Sequence, residues 1–323
     1  MKIKYGIIGA TGHTAQELLS LTTQDKNLEC IFLTSSSEAG NHSPFLPEKK
    51  YEKLSEQEII SKNPDIIFYA TPHGVCMKNC DFFLKAGIKI IDLSGDFRFS
   101  NIKTFEENYN ISHTFPEIFS KNSQYKCAYG LTEHFEKEIK QADLIANPGC
   151  YVTASLNALL PLKNNIISAI CDGKSGYSGA GKSFTSDKIE ELQKNACIPY
   201  KIIQHRHEAE IQQFFNINQK ISFTPHLINT YRGMIVTLHI FLQNNTKTSD
   251  EILNMFQQFY KNKKYIKIQK EIPKITDVQN TNFNILGGFE IDKNGRLVII
   301  SALDNLRKGA VSQALQNMYD IMK

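Results

Sequence analysis

One cysteine of this chain has the sequence setting of a catalytic nucleophile. Cys150 follows the turn sequence Asn147-Pro148-Gly149 and precedes an apolar segment at 152–160 that has helical character. Backbone N–H groups and the helix dipole favour thiolate over thiol at a helix N-terminus, and the thiolate attacks acyl groups. The pattern predicts covalent catalysis by Cys150, with a small buried hydrophobe as the alternative.

The remaining cysteines lie in or beside apolar runs, which predicts buried side chains without a chemical role. They are Cys30, Cys76, Cys80, Cys127, Cys171 and Cys197. Their scattered spacing forms neither a disulfide framework nor a CxxC zinc pattern. We therefore expect a reducing environment, the cytoplasm.

A histidine cluster supplies the proton-transfer group that a thiol nucleophile needs. His205 and His207 flank Arg206, and Glu210 shares a face with His207 if a helix begins here. An imidazole shuttles protons near neutral pH, and a carboxylate at this spacing would orient it. The pair His-x-His also occurs at metal sites, but no further ligand pattern lies nearby, so we expect no metal. The sequence leaves open which histidine faces the sulfur.

A glycine-rich loop between the first strand and the first helix has the context of a dinucleotide site. The strand is predicted at 2–8 and the helix from about residue 15. Glycines between them permit a tight turn and the close approach of backbone to a pyrophosphate at the helix N-terminus, which we favour over a plain tight turn. The predicted cofactor contacts are Gly9, Thr11, Gly12, His13 and Thr14.

The end of the second strand bears on the choice between NADP and NAD. This strand, at 28–34, leads into Ser35, Ser36 and Ser37, where an NAD enzyme usually places an acidic residue on the ribose 2′-hydroxyl. Small hydroxyl side chains leave room for a 2′-phosphate and favour NADP. No arginine stands in this run and Glu38 is close, so NAD remains the alternative.

Further strands at 65–70 and 89–93 continue the alternation of strands and helices, which predicts a Rossmann-type parallel sheet. The loops after these strands carry His73 and Arg98 at the edge where α/β sheets bind ligands. For His73 we expect a structural role. Arg98 could clamp a phosphate, but a surface pair with Asp96 or another carboxylate is the local expectation.

The second half of the chain has a different pattern of predicted strands and helices. Strand alternation at 233–242 and 296–303, a capped helix at 248–260 and an amphipathic segment at 308–322 predict an α+β domain with a largely antiparallel or mixed sheet. Residues 176–183 match the bare P-loop pattern, but βαβ alternation is missing there, so we interpret the match as accidental.

The composition restricts the partners. A chain of 323 residues with 41% hydrophobic residues is long enough for two domains. Its net charge of +4 does not indicate the basic surface of a nucleic-acid-binding protein. Apolar runs fall short of a membrane span. We expect neither a nucleic-acid nor a membrane partner.

Several motifs, taken in order, resemble those of the N-acetyl-gamma-glutamyl-phosphate reductase family, which is related to aspartate-semialdehyde dehydrogenase. The motifs lie at 6–14, 147–153, 174–181, 205–207, 223–227, 231–233 and 304–306. The resemblance implies NADPH-dependent reduction of N-acetyl-L-glutamyl 5-phosphate to N-acetyl-L-glutamate 5-semialdehyde and phosphate, in arginine biosynthesis, through a thioester on Cys150. It implies proton transfer by His207, with His205 as the alternative.

The resemblance also carries further expectations. It assigns Arg98 to the phosphate and Arg232 to the substrate carboxylate or phosphate. It adds Ser178, Gly179 and Asn305 to the cofactor contacts. The implied domains are residues 1–148 plus 304–323 for NADP, and residues 149–303 for catalysis and oligomerisation as a homodimer or homotetramer.

Two departures and two alternatives accompany the resemblance. Ala15 stands where the family often has a third glycine, which the close-packing position tolerates, and the serine run lacks the family's frequent arginine. A sibling reductase acting on aspartyl phosphate or a carrier-bound aminoadipyl phosphate would share the fold. A catalytically silent NADP-binding regulatory protein is the alternative from another class.

Overall fold

The structure is a computed structural model that describes residues 2–179, 185–243 and 247–323. The chain divides into two units by its internal contacts. Unit 1 contains the chain up to Pro148 together with Ala310–Lys323, and unit 2 contains Gly149–Gly309.

Unit 1 is built on a six-stranded sheet in which every pairing is parallel, with the order β2-β1-β3-β4-β6-β5. The strands are β1 (Ile3–Ile8), β2 (Leu28–Thr34), β3 (Ile66–Tyr69), β4 (Lys89–Asp92), β5 (Cys127–Tyr129) and β6 (Leu144–Ala146). The helices between them are α1 (His13–Thr22), α2 (Glu56–Ser61), α3 (Cys76–Lys85), α4 (Ile102–Tyr109) and α5 (Thr132–Ile139). The predicted Rossmann-type parallel sheet is confirmed.

Unit 2 contains a seven-stranded mixed sheet in the order β11-β12-β13-β10-β7-β9-β8. Its strands are β7 (Ile166–Gly176), β8 (Cys197–Pro199), β9 (Lys220–Ile228), β10 (Met234–Leu242), β11 (Ile266–Ile268), β12 (Asn284–Ile291) and β13 (Arg296–Leu303). Its helices are α6 (Cys150–Leu159), α7 (Ser186–Asn195), α8 (Arg206–Gln212) and α9 (Ser249–Phe259). The parallel pairs β7–β9 and β11–β12 make the sheet mixed, as predicted.

Helix α6 is the central helix of unit 2. Every residue after its first is buried, and it packs on β10, β13 and α8. A helix that is apolar all round belongs in a core, so this sequence has no solvent-facing stripe. Cys150 begins the helix and is only partly buried. The core therefore fixes the axis of α6 while leaving its first residue accessible.

The chain leaves β13 through a π-helical turn, Arg307–Val311, and ends in α10 (Ser312–Ile321). The continuous α-helix predicted at 308–322 is wrong over its first residues, because the Gly309 N–H bonds to the Asp304 carbonyl at 2.9 Å, five residues back. The side chains of α10 and the turn before it enter the core of unit 1. These core residues are Val311, Ala314, Met318 and Ile321.

Residues 304–309 lie in unit 2, where Asp304 contacts Arg232 and Asn305 accepts the Gly233 N–H. One further expectation needs correction. Cys197 is exposed, since it lies in β8 at the edge of the mixed sheet.

Candidate active site

The backbone turn before α6 places Cys150 at a helix N-terminus, as the sequence predicts. Gly149 is the N-cap residue, with an extended backbone (φ −66°, ψ 146°), and it makes no side-chain capping bond. No side chain of Gly149 caps the N–H groups in the first turn of α6. These N–H groups and the helix dipole favour negative charge at Cys150. This position is suited to a thiolate.

Helix α8 brings two of its residues against Gly149. The Glu210 carboxylate, fully buried, accepts a hydrogen bond from the Gly149 N–H at 3.0 Å. The His207 ring faces the same residue, because a β-carbon built on Gly149 would lie 2.4 Å from His207 Nε2. Only glycine admits the imidazole this close, so residue 149 brings His207 beside the residue that precedes Cys150.

His205 has a different environment. It is the N-cap residue of α8, and its Nδ1 accepts the His207 N–H at 3.1 Å. Burial, followed by the positive charges of Arg206 and Lys201, lowers the pKa of His205 to about 3. The imidazole is therefore neutral at physiological pH and already engaged at one nitrogen.

A pair of tyrosines completes the surroundings of Cys150. The Tyr151 hydroxyl donates to the His226 carbonyl at 3.1 Å, and the Tyr200 N–H donates to the Pro225 carbonyl at 3.2 Å. Burial, followed by the negative charge of Cys150, raises the pKa of Tyr200 to about 12. Tyr200 therefore stays protonated at neutral pH and is a proton donor near the thiol.

Arg232 occupies a separate cluster of unit 2. Its Nη1 contacts the Asn280 Oδ1 at 2.6 Å and the buried Asp304 Oδ2 at 3.5 Å. Its side chain is 14% exposed. The Asp304 carboxylate also accepts the Asn280 N–H at 2.7 Å. The guanidinium is thus held in place while part of it reaches the surface of the unit.

Asn305 ties two loops of unit 2 together. Its Nδ2 donates to the Ser178 Oγ at 2.9 Å, and its Oδ1 accepts the Gly233 N–H at 2.8 Å. Gly179 lies directly against this amide, since a β-carbon there would meet Asn305 Nδ2 at 3.4 Å. The structure therefore brings Ser178, Gly179 and Asn305 together. Residues 180–183 of the segment that matches the bare P-loop pattern lie outside the described residues.

The glycine-rich loop of unit 1 has the geometry expected of a dinucleotide site. Gly9 has φ +83°, and a β-carbon there would lie 2.7 Å from the Ala70 carbonyl oxygen, so only glycine fits. Gly12 is the N-cap residue of α1 and makes no side-chain capping bond. Two nearby polar atoms, His13 Nδ1 and Thr71 Oγ1, are buried without a hydrogen-bond partner in the described protein. These features fit a pyrophosphate at the N-terminus of α1.

The serine run lies beside this loop. Ser35 is buried, and its Oγ is 3.4 Å from the Thr11 Oγ1. Ser36 is exposed. The Glu38 carboxylate accepts a bond from Asn41 Nδ2 at 2.8 Å. The one acidic side chain in this stretch is therefore held by its own turn, while hydroxyl groups line the end of β2.

Arg98 is buried rather than at the surface, where the local sequence predicts it. Its Nε donates to the Asn147 carbonyl at 2.8 Å and its Nη2 to the Leu93 carbonyl at 3.2 Å. Asp96 instead accepts the backbone N–H groups of Gly74 and Met77. The guanidinium thus fastens the loop after β4 to the segment after β6.

His73 and Asp92 stand in the same region of unit 1. His73 has the expected structural role, accepting the Gly95 N–H at 2.8 Å and packing on Tyr109. Asp92 is fully buried, and its carbonyl accepts the Asn147 N–H at 2.8 Å. Burial, followed by the negative charge of Asp96, raises the pKa of Asp92 to about 7.

Sequence reasoning missed Tyr200 and Gly309 as neighbours of Cys150. Tyr200 offered no signal beyond its place before the histidines. Gly309 did offer one, because a glycine inside an amphipathic helical pattern usually has a packing reason.

In the described part of the chain, residues 2–179, 185–243 and 247–323, no helix combines the length and apolar content of a membrane span. No three or more His, Cys, Asp or Glu side chains there are grouped to hold a metal ion.

Profiles of two domain families match the chain. The semialdehyde dehydrogenase NAD-binding domain matches residues 4–142, and the semialdehyde dehydrogenase dimerisation domain matches residues 150–305. The first match supports a nicotinamide cofactor on unit 1, in agreement with the glycine-rich loop.

Solved structures share the fold at low identity. Aspartate semialdehyde dehydrogenase II of Vibrio cholerae is 18% identical with a TM-score of 0.77, and the alignment covers 100% of this chain and 99% of that one. The Candida albicans aspartate semialdehyde dehydrogenase, solved with NADP, is 15% identical with a TM-score of 0.67, covering 100% and 98%.

Curated relatives match over nearly the whole length. The N-acetyl-gamma-glutamyl-phosphate reductase of Methanocaldococcus jannaschii is 43% identical, covering 97% of this chain and 93% of the relative. The protein of that name from Clostridium novyi is 37% identical, covering 98% and 94%. Given this similarity and the two matched domains, the chain belongs to the N-acetyl-gamma-glutamyl-phosphate reductase family.

Proposed function

We propose that the protein reduces N-acetyl-L-glutamyl 5-phosphate to N-acetyl-L-glutamate 5-semialdehyde and phosphate, using NADPH, in arginine biosynthesis. The observation that carries the proposal is Cys150 at the first position of α6, with the His207 ring against the preceding residue. Relatives that share this name over nearly the full length support the choice of substrate.

The chemistry follows from the thiol. The Cys150 thiolate attacks the acyl carbon, a C–S bond forms, the C–O bond to the phosphoryl group breaks, and inorganic phosphate leaves. When bound, NADPH supplies the hydride that reduces the resulting thioester. Breaking the C–S bond then releases the aldehyde and restores the thiolate. These reaction steps do not require a metal ion to activate water, because the nucleophile is the protein's own sulfur.

His207 is the proposed proton-transfer group. Its Nε2 faces the turn that carries Cys150, whereas His205 Nδ1 accepts the backbone N–H that caps α8. The pKa of His205, lowered to about 3, keeps that ring neutral and makes it a poor proton carrier. His207 would protonate the oxygen during reduction and take the proton back when the aldehyde leaves.

The proposed cofactor is NADP rather than NAD. The pyrophosphate would lie at Gly9, Thr11, Gly12, His13 and Thr14. Ser35 and Ser36 would face the 2′-phosphate, because Glu38 is held by Asn41 and does not supply the carboxylate that the 2′-hydroxyl of NAD prefers. Ser178, Gly179 and Asn305, which the structure brings together in unit 2, are proposed as further cofactor contacts.

Two arginines are proposed for the substrate. Arg232, held by Asn280 and Asp304 and partly exposed, would bind the substrate carboxylate through its planar fork. Arg98 would act on the phosphate as a fixed positive charge, because two of its nitrogens already donate to backbone carbonyls.

The proposed partner is a second copy of the chain, bound to the face of the mixed sheet opposite α6. Among the side chains of β7 and β10 that alternate with buried ones, Ile170 and Phe241 are 44% and 37% exposed. The dimerisation-domain match covers these strands, and exposed apolar side chains on such a face can serve as an association surface. We propose a homodimer built on this face.

The decisive experiment is the reverse reaction. Purified protein is incubated with N-acetyl-L-glutamate 5-semialdehyde, inorganic phosphate and NADP, while absorbance of the reduced nicotinamide is followed. Phosphate-dependent NADPH formation that disappears in Cys150→Ser would support the proposal. Turnover of aspartate semialdehyde alone would identify the sibling reductase, and no turnover of either, with NADP still bound, would identify a silent binding protein.

A further inference from the structure

The π-helical turn after β13 brings its glycine against the nucleophile. Gly309 lies in Arg307–Val311, and a β-carbon built on it would be 2.7 Å from the Cβ of Cys150. π-Helical turns are rare and frequently occur at functional sites. The contact joins two residues far apart in sequence, and both belong to unit 2.

The glycine is needed for space rather than for backbone freedom. Gly309 is absent from the glycines with positive φ, so alanine could adopt its backbone conformation. The added carbon would also meet Leu303 Cδ1 at 3.1 Å and the Asp304 carbonyl oxygen at 3.3 Å. The nearest atom is a β-carbon fixed to a helix backbone, so a substitution must move either α6 or the turn.

The turn is held firmly from its own side. The Gly309 N–H donates to the Asp304 carbonyl at 2.9 Å. The Asp304 carboxylate, fully buried, accepts the Leu306 N–H at 2.9 Å and the Asn280 N–H at 2.7 Å. Lys308, the residue before Gly309, is also fully buried. Displacement therefore falls on the start of α6, whose first residue is the more exposed partner.

On its other side, Cys150 follows a residue that is in contact with α8. Gly149 is bound by Glu210 at 3.0 Å and touched by His207. Cys150 thus lies between a backbone contact from Gly309 and a turn fixed by α8. We propose that Gly309 is a positioning residue that sets the distance between the Cys150 sulfur and the His207 imidazole, an inference that rests on the proposed catalytic role of Cys150.

The test is Gly309→Ala, compared with Gly295→Ala. Gly295 lies in the turn between β12 and β13, has φ +79°, and has nothing within 4 Å of an added β-carbon. Its alanine variant loses stability through backbone strain without touching the site. For Gly309→Ala we expect kcat lower by about 10- to 100-fold, as follows from displacing a reacting group by about 1 Å, with KM changed less than about twofold.

A second readout does not depend on turnover. The rate of Cys150 alkylation by iodoacetamide, followed by peptide mass spectrometry, should fall by about fivefold or more in Gly309→Ala and remain unchanged in Gly295→Ala. Unchanged kcat and unchanged alkylation in folded Gly309→Ala would overturn the inference while leaving the proposed function intact. If wild-type protein lacks reductase activity, alkylation alone still decides the positioning role.

A double-mutant cycle covers the case in which Gly309→Ala folds poorly. The loss of stability caused by Gly309→Ala is measured in the wild-type background and in the Cys150→Gly background, which lacks the opposing β-carbon. Coupling between the two positions would support the contact. Equal losses in both backgrounds would contradict it.

Discussion

Glu210 and Gly149 are joined by a hydrogen bond from the backbone N–H of Gly149 to the Glu210 carboxylate, at 3.0 Å and across 61 residues of sequence. The bond links the start of α6 to the middle of α8, which also carries His207. A carboxylate with no solvent exposure is costly to bury unless it has such partners. One side chain therefore links the turn before the proposed nucleophile, Cys150, to the helix that carries the proposed proton-transfer group.

Replacing Glu210 should separate the contribution of its hydrogen-bond acceptor from that of its negative charge. In Glu210→Ala, the Gly149 N–H loses its acceptor, and we expect kcat to fall by about 100-fold. Glu210→Gln keeps an amide oxygen that can accept the same bond, so its loss should be about tenfold or less. Steady-state kinetics measure both. Equal losses in the two variants would show that the negative charge, and not the acceptor, is what matters.

A carboxylate at the end of β2 should reverse the preference between the two nicotinamide cofactors. Ser36 is exposed at the proposed 2′-phosphate position. Ser36→Asp places a negative charge beside that phosphate, and we expect the ratio of kcat/KM for NADPH over NADH to fall by about tenfold or more. Ser36→Ala serves as the control for the lost hydroxyl. If Ser36→Asp leaves this ratio of kcat/KM values unchanged, the 2′-phosphate does not bind beside Ser36.

Acid should destabilise the protein partly through His205. Its pKa is lowered from 6.5 to about 3 in the folded state, so the unfolded chain takes up the proton first as pH falls below 6.5. Stability therefore declines between pH 6.5 and 3, with a slope of up to about 1.4 kcal/mol per pH unit from this group. His205→Asn retains a side-chain oxygen for the helix cap and should flatten that slope in urea unfolding curves. An unchanged slope would contradict the prediction.

Asp92 should act in the opposite direction. Its pKa is raised from 3.8 to about 7, so the folded protein holds the extra proton and loses stability as pH rises from 3.8 to 7. Asp92→Asn removes the ionisation while keeping an oxygen for the Ser94 N–H. We expect this variant to be more stable than wild type above pH 7, by up to about 4 kcal/mol, because each pH unit between 3.8 and 7 costs the wild type about 1.4 kcal/mol. Chemical denaturation at pH 5 and pH 8 measures the difference, which should be larger at the higher pH.

The proposed dimer face can be tested with one charge. Ile170 lies on β7 and is 44% exposed in the single chain. Ile170→Glu would bury an unpaired carboxylate in the interface, so we expect dissociation to monomers at micromolar concentration by sedimentation velocity. Ile217→Glu is the control, because Ile217 is 92% exposed outside that face. Monomeric wild-type protein, or a dimer that survives Ile170→Glu, would refute this interface.

The sequence predicted those parts of the fold that depend on local signals. The glycine loop, the strand and helix periods and the helix start at Cys150 each depend on neighbouring residues, and the structure contains all of them. The strand order of the mixed sheet and the bond between Glu210 and Gly149 depend on residues distant in sequence, so no periodicity reveals them. The candidate site residues could therefore be named from the sequence, but the geometry that brings them together could not.

Two of the incorrect local predictions have the same physical origin. Arg98 was expected at the surface, but backbone carbonyls that are distant in sequence satisfy its guanidinium in the interior. The segment at 308–322 has an amphipathic pattern throughout, yet a bond from Gly309 to Asp304 widens its first turn. In both cases tertiary partners overrode a valid local preference.

The return of α10 to unit 1 has a consequence for biosynthesis. Asn317 donates to the Gly130 carbonyl at 2.8 Å and to the Asn147 Oδ1 at 3.1 Å, both in the interior of unit 1. On the ribosome, the six strands of unit 1 are synthesised before unit 2. The Gly130 carbonyl and the Asn147 Oδ1 can bond to Asn317 only after residues 149–309 have been translated. Unit 1 thus becomes complete only after unit 2 has been translated, and a chain truncated before Asn317 would leave these acceptors in its interior without their donor.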